Sequence, residues 1–243
     1  STAAARVDLG ARLSAEAELS WQWTRFADEQ SGGFFAYDSR ALRAGLGYDV
    51  ASDLRATVSY AFERIPPSPD RAIVESSAHS LLGTLAGTIA PLTSGAVTVG
   101  FRSQTNPLAA GESGSYRGLT LGGSLRRQLG YSTQLDLQVN RSTEPSAYDT
   151  NAYYVTNSMD AALTVPAPLG LWARGSVTWF RNAYPNDAPG LAAPRRDDIL
   201  AWAVGVGRQI GWRAWVRADY RRERRDSNLP GFDMTTDGFI VQL

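Results

Sequence analysis

Residues 54–62 read LRATVSYAF. Alternate positions are apolar or aromatic: Leu54, Ala56, Val58, Tyr60 and Phe62. Arg55, Thr57, Ser59 and Ala61 stand between them. A period of two puts the first set on one face of a strand and the second on the other. These letters alone leave open whether the apolar face meets a protein interior or lipid.

The alternation recurs along the chain. RVDLGARL sets Val7, Leu9, Ala11 and Leu13 against Arg6, Asp8 and Arg12, and EAELSWQW sets Ala17, Leu19, Trp21 and Trp23 against Glu16, Glu18, Ser20 and Gln22. TQLDLQVN sets Leu135, Leu137 and Val139 against Gln134, Asp136, Gln138 and Asn140. WRAWVRADY sets Trp212, Ala214, Val216, Ala218 and Tyr220 against Arg213, Arg217 and Asp219. No segment carries a helical period. Strands are expected over 3–13, 16–27, 35–50, 54–64, 77–90, 96–104, 115–129, 133–143, 152–166, 170–182, 197–210, 213–225 and 237–243, thirteen in all. Short turns are expected at Ser14–Ala15, Ala51–Asp53, Leu92–Gly95, Tyr131–Ser132, Pro168–Gly170 and Gly211–Trp212. Longer polar loops fall near 28–34, 65–76, 104–115, 143–151, 183–197 and 226–236.

Strands of globular proteins average about five or six residues, whereas a tilted strand needs about nine to eleven to cross a bilayer. Short turns at one end and long loops at the other match outer-membrane barrels. The apolar face also mixes bulky residues with Ala and Gly, as in Leu81, Gly83, Leu85, Gly87 and Ile89. Acyl chains fill such a rough surface more readily than a facing sheet does. The expected fold is therefore all-β: one transmembrane antiparallel up-and-down β-barrel domain of the outer-membrane type over residues 1–243, in the bacterial outer membrane. A soluble sandwich or a lipocalin-like barrel is the rival reading, with the apolar faces meeting in a core.

Composition narrows the function. The chain has 243 residues, 43% of them apolar, and no run of about eighteen apolar residues that would make a transmembrane helix. Basic and acidic residues balance at 24 each, the basic ones all Arg, so nothing favours nucleic acid as a partner. The absence of Cys removes thiolate metal sites and Cys nucleophiles. STAAARVDL shows no signal peptide, so the sequence reads as mature or trimmed. Thirteen strands are an odd number, and the first and last run toward the same end, whereas single-chain bacterial barrels have even counts. Two repairs are open: an N-terminal truncation of a barrel of about 14–18 strands, or a miscount of one.

Candidate residues follow from the two faces. Arg43, Arg55, Glu63, Arg126, Asp136, Arg174, Arg213, Arg217 and Asp219 are expected to line a wet lumen, with Arg6, Arg12, Arg102, Asp8, Glu16, Glu18 and Asp160. Mixed signs favour cross-strand ion pairs over ion selectivity. Inward Tyr154, Trp172, Phe180 and Trp215 either stack on sugar rings or fill the wall interior. Trp21, Trp23, Tyr48, Tyr60, Phe62, Trp179, Trp212 and Tyr220, with Tyr153, fall toward strand ends and suit interfacial girdles. His79, the only His, belongs near a strand end at that interface. Gly111–Ser115 (GESGS) lacks the spacing of a nucleophile elbow and reads as an outer loop. Pro194, Arg195, Arg196, Asp197 and Asp198 read as a solvated charge cluster in the 183–197 loop. Arg221–Arg225 either meets lipopolysaccharide phosphates, lines a channel mouth, or extends a strand with local ion pairs. No catalytic group, metal site or cofactor is expected, and the chain is not expected to be an enzyme.

The last segment, RADYRRERRDSNLPGFDMTTDGFIVQL, combines an Arg-rich penultimate strand, the loop residues Ser227, Asn228, Pro230, Gly231 and Asp233, and a final strand with Phe239, Val241 and Leu243 outward. It resembles the C-terminal hairpin of the beta-barrel porin 2 family, although an aromatic last residue is more usual than Leu. The resemblance covers about the last thirty residues and implies an exopolysaccharide-associated outer-membrane barrel. Two functions remain open: a passive conduit for hydrophilic solutes, with exopolysaccharide export foremost, or a docking barrel in a larger envelope assembly. Partners would be the lipid bilayer, lipopolysaccharide, polysaccharide and envelope-assembly proteins.

Overall fold

The computed structural model describes residues 1–28, 33–66, 75–106, 114–146, 151, 153–187, 193–210 and 214–242, with backbone only at 24–28, 33–37, 145 and 187. Thirteen strands are hydrogen-bonded in chain order. They are β1 (Thr2–Asp8), β2 (Leu13–Asp28), β3 (Gly33–Ala51), β4 (Leu54–Ile65), β5 (Ser76–Ala90), β6 (Thr93–Thr105), β7 (Tyr116–Gln128), β8 (Gln134–Pro145), β9 (Tyr153–Ala167), β10 (Leu171–Asp187), β11 (Pro194–Ile210), β12 (Ala214–Ser227) and β13 (Met234–Gln242). Among the described residues no helix is long and apolar enough to cross a membrane.

Residues cluster into two compact units. The first comprises Ser1–Gly87, Val97–Leu121 and Thr143–Tyr154. Its strands β1 to β5 pair antiparallel with Asp8 opposite Ser14, Leu13 opposite Tyr48, Val58 opposite both Leu46 and Gly83, and Phe62 opposite His79. The second comprises Thr88–Ala96, Gly122–Ser142 and Val155–Leu243. There Trp172 faces Pro166 and Gly207, Gly207 faces Arg217, and Arg217 faces Gln242.

Exposure along β4 answers the question its sequence posed. Val58 is 60% exposed and Tyr60 47%, while Ser59 between them is 7% exposed. The pattern holds on other strands: Leu19, Trp21, Leu46, Leu81, Leu119, Val204 and Phe239 are exposed, whereas Ser14, Ser80, Gln104, Ser158, Asp197 and Asp219 are buried. A sandwich would bury its aliphatic rows. Here the aliphatic rows face outward and polar residues fill the protected face, the inverse of a water-soluble core.

Several boundaries differ from expectation. β1 ends at Asp8 and the turn occupies 9–12, not Ser14–Ala15. The alternation of Val7, Leu9, Ala11 and Leu13 runs straight through the turn, so periodicity could not locate it. The β5–β6 turn is Pro91–Leu92, with positive φ at Leu92, and not Leu92–Gly95. β10 runs to Asp187 and β11 starts at Pro194. Arg196 to Asp198 are therefore paired strand residues, with Arg195 at a break in register opposite Ala183–Asp187, and not a solvated loop cluster. The Gly211–Trp212 turn, Leu243 and the centres of the loops near 28–34, 65–76, 104–115, 143–151 and 183–197 lie outside the described residues.

Candidate functional site

The polar face is built around arginines that reach across strands. Period two on β4 puts Arg55 on that face beside the β3–β4 turn. Its Nη1 donates to Asp49 Oδ1 at 2.5 Å, and its Nη2 donates to Glu16 Oε1 at 2.6 Å and to the buried Ser14 hydroxyl. To reach β2 from β4 the guanidinium must cross β3, and it does so over Gly47. A Cβ at that position would overlap the guanidinium itself. Gly47→Ala is accordingly expected to push Arg55 off Ser14 and Glu16 and to lower the unfolding midpoint by about 2–6 °C, read by thermal scanning in detergent. Arg55→Met with Gly47→Ala should show no further loss.

A second network links the loop-side half of the first unit. Arg102 Nη2 donates to Glu63 Oε2 at 2.8 Å, and Ser39 Oγ donates to Glu63 Oε1 at 2.9 Å. Arg102 Nε also donates to Gln104 Oε1 at 3.2 Å, which accepts from Thr143 Oγ1 at 2.9 Å. Gln104 Nε2 donates to Ser76 Oγ at 3.2 Å and Asn106 Oδ1 at 3.0 Å. In the second unit Asp136 accepts from Arg126 Nε at 2.7 Å and Gln134 Nε2 at 2.8 Å, with Arg174 Nη1 at 3.6 Å. Arg217 Nε lies 2.5 Å from Asp219 Oδ2, and the Arg217 guanidinium stands 5.8 Å from the Trp172 ring centroid. Arg43 stands opposite Glu18 on the same face and is exposed. Arg213 lies outside the described residues. In these contacts Glu16, Asp49, Glu63, Asp136 and Asp219 each meet at least one arginine, which neutralises and stiffens the polar face.

On the apolar face Trp21, Trp23, Tyr48 and Tyr60 are exposed, and Phe62, Trp179 and Tyr220 are half-buried; Trp212 lies outside the described residues. Tyr220 packs between Trp202 and Phe239, with ring centroids 5.4 and 5.1 Å away. The sequence reading passed over Trp202, although its place between Leu200 and Val204 carried the signal. His79 sits on this face, its Nδ1 2.6 Å from Tyr60 Oη and its ring 5.0 Å from Phe62. Tyr153 departs from the girdle expectation. It is buried, lies edge-on to Tyr116 at 5.6 Å, and donates to the Ser115 carbonyl at 3.2 Å. The Arg-rich run divides by register: Arg222 and Arg224 share the face of Tyr220, while Arg221, Glu223 and Arg225 share that of Asp219. Arg221 pairs with Glu223 at 2.6 Å and Arg224 with Asp226 at 2.9 Å.

The loop that closes β12 is tied to β11 by its side chains. Ser227 Oγ donates to Asp197 Oδ1 at 2.7 Å, and the Ser227 amide donates to Asp233 Oδ1 at 2.8 Å. Asn228 accepts from the Arg196 amide at 2.7 Å and donates to the Pro194 carbonyl at 2.9 Å, so its carboxamide mimics another strand residue. Gly231 supplies a φ of 85° in the turn that follows. Beneath them Arg195 and Asp197 form a bidentate pair at 2.9 and 2.7 Å, with the Arg195 guanidinium 4.1 Å from the Phe232 ring centroid and 4.9 Å from that of Tyr184. A cavity of about 680 Å³ opens here between Tyr184, Arg195, Arg196 and Asn228.

Comparison with known proteins places the fold. The chain is similar in structure to the FrpB iron transporter of Neisseria meningitidis in its F5-1 variant, with a TM-score of 0.56 over 92% of this chain and 44% of that one, at 12% identity. The apoprotein form of that variant gives 0.54 over 90% and 42%, and the F3-3 variant 0.53 over 88% and 40%, both at 12% identity. The chain thus spans less than half the length of these solved structures. No family model matches the chain, and no curated protein matches it. These neighbours are outer-membrane transporter barrels, and the fold of this chain is an all-β, antiparallel up-and-down array of that type.

Proposed function

We propose that this chain forms the wall of a passive outer-membrane conduit for hydrophilic solutes, with exopolysaccharide as the cargo and no catalytic step of its own. One observation carries the reading: long strands bear aliphatic rows outward and a charged, hydrogen-bonded face on the other side. The likeness to transporter barrels supports a transport role at the level of fold. The C-terminal likeness to the beta-barrel porin 2 family supports the polysaccharide cargo. Its Ser227 and Asn228 hold the loop to β11, and its Gly231 and Asp233 shape the turn itself, so that likeness bears on lineage and not on a binding group. The apolar face would meet lipid. Arg222 and Arg224, on the loop side of Tyr220, would meet lipopolysaccharide phosphates, and the long loops would meet envelope-assembly proteins.

The dense ion pairing of the polar face favours one other reading, a stiff docking barrel without permeability. Planar-bilayer recording separates the two. A conduit should give stepwise conductance with weak charge selectivity, because acids and arginines alternate along its lining. Protein that inserts into the bilayer yet gives neither current steps nor solute flux would refute the conduit and leave the docking barrel.

A further inference from the structure

Two tryptophans stand close together on the polar face of the second unit. Trp172 is on the polar face of β10, in the row of Gly207, Arg217 and Gln242. Its ring lies across Gly207, where a Cβ would overlap the indole. The indole is thereby packed against the β11 backbone at Gly207. Trp215 shares the polar face of β12, is 45% exposed, and stands opposite Gln209, one row nearer the β11–β12 connection. Two strand spacings of about 4.8 Å and one two-residue step of about 6.8 Å put the two backbone positions about 12 Å apart. Between them Arg217, held by Asp219, offers a planar cationic donor.

Space-filling over a strand glycine accounts for Trp172 alone. It does not account for Trp215, which is 45% exposed on the face it shares with Arg217 and Asp219. A pyranose ring has an apolar face of C–H bonds and a rim of hydroxyls. It therefore asks for what this row supplies: a flat aromatic surface with an orienting polar group beside it. The geometry points to Trp172, Trp215 and Arg217 as a sugar-stacking platform at the short-turn end of the polar face, binding a linear oligosaccharide through its ring faces. Weak stacking suits a conduit, because a bound chain must also leave. The inference rests on the conduit reading for the wetness of that face, but binding can be measured without any transport.

The experiment is isothermal titration of the detergent-solubilised protein with maltohexaose and with cellohexaose, beside planar-bilayer recording of the same preparation. Binding of either probe is expected, weakened about tenfold by Trp172→Ala and by Trp215→Ala. Trp172→Phe should restore most of it, and Trp202→Ala on the apolar face should leave it unchanged. A heat-induced gel shift establishes that each variant is folded. No binding of either probe, or equal weakening by Trp202→Ala, overturns the platform. Loss of conductance with sugar binding intact would fall on the conduit alone.

Discussion

Leu137→Arg is expected to cost about 2–4 kcal/mol of folding stability in lipid vesicles, while Gln138→Arg, one residue on, should cost under about 1 kcal/mol. Leu137 lies between Leu135 and Val139 on the exposed apolar face of β8, and Arg141 marks where that face turns polar. An arginine at the middle of this row must hold its guanidinium among acyl chains or drag water to it. Gln138 is exposed on the opposite face, beside Asp136 and Asn140, where a further cation is solvated. Were this exposed row in water and not in lipid, an arginine at either position would cost little. Urea titration of vesicle-refolded protein, followed by tryptophan emission, reads the difference. Equal costs at the two positions would remove the lipid-facing assignment.

Which face of each strand is exposed was legible in the sequence, because face identity depends only on parity. TQLDLQVN and LRATVSYAF declare their faces without any knowledge of partners, and thirteen strands could be counted from such runs. Boundaries were less legible, for a reason that Leu9–Arg12 shows: apolar parity continues through a tight turn, and only the pairing of Asp8 with Ser14 reveals it. At Pro194–Asp198, Pro and paired charges resemble a loop by composition. The Ser227 hydroxyl and the Asn228 carboxamide that tie it down as a strand come from residues some thirty positions away. The polar clusters lay further still from view. Arg55 and Glu16 are 39 residues apart, and their contact needs two strand registers and an absent Cβ at Gly47. Trp172 depends on Gly207 in the same way. A single strand shows which side a group faces, but register decides what it meets there.

Asp197→Ala is expected to be the most damaging change at the loop end, at about 3–5 kcal/mol. Asp197 and Arg195 have side chains 2% and 4% exposed and bond through both carboxylate oxygens. Desolvating both ions is expensive, and the bidentate geometry offsets that cost only while both are present. Removing the acid leaves a buried guanidinium held by the Tyr184 and Phe232 rings, and it also takes the acceptor from Ser227 Oγ. The loss should therefore extend to the β12–β13 loop, with faster amide exchange at Ser227 and Asn228. Arg195→Met combined with Asp197→Leu removes both charges together and is expected to recover most of the stability. A double-mutant cycle on urea unfolding measures the coupling. If the single and double variants were equally destabilised, this pair would be a packing element and not the electrostatic anchor of the final hairpin.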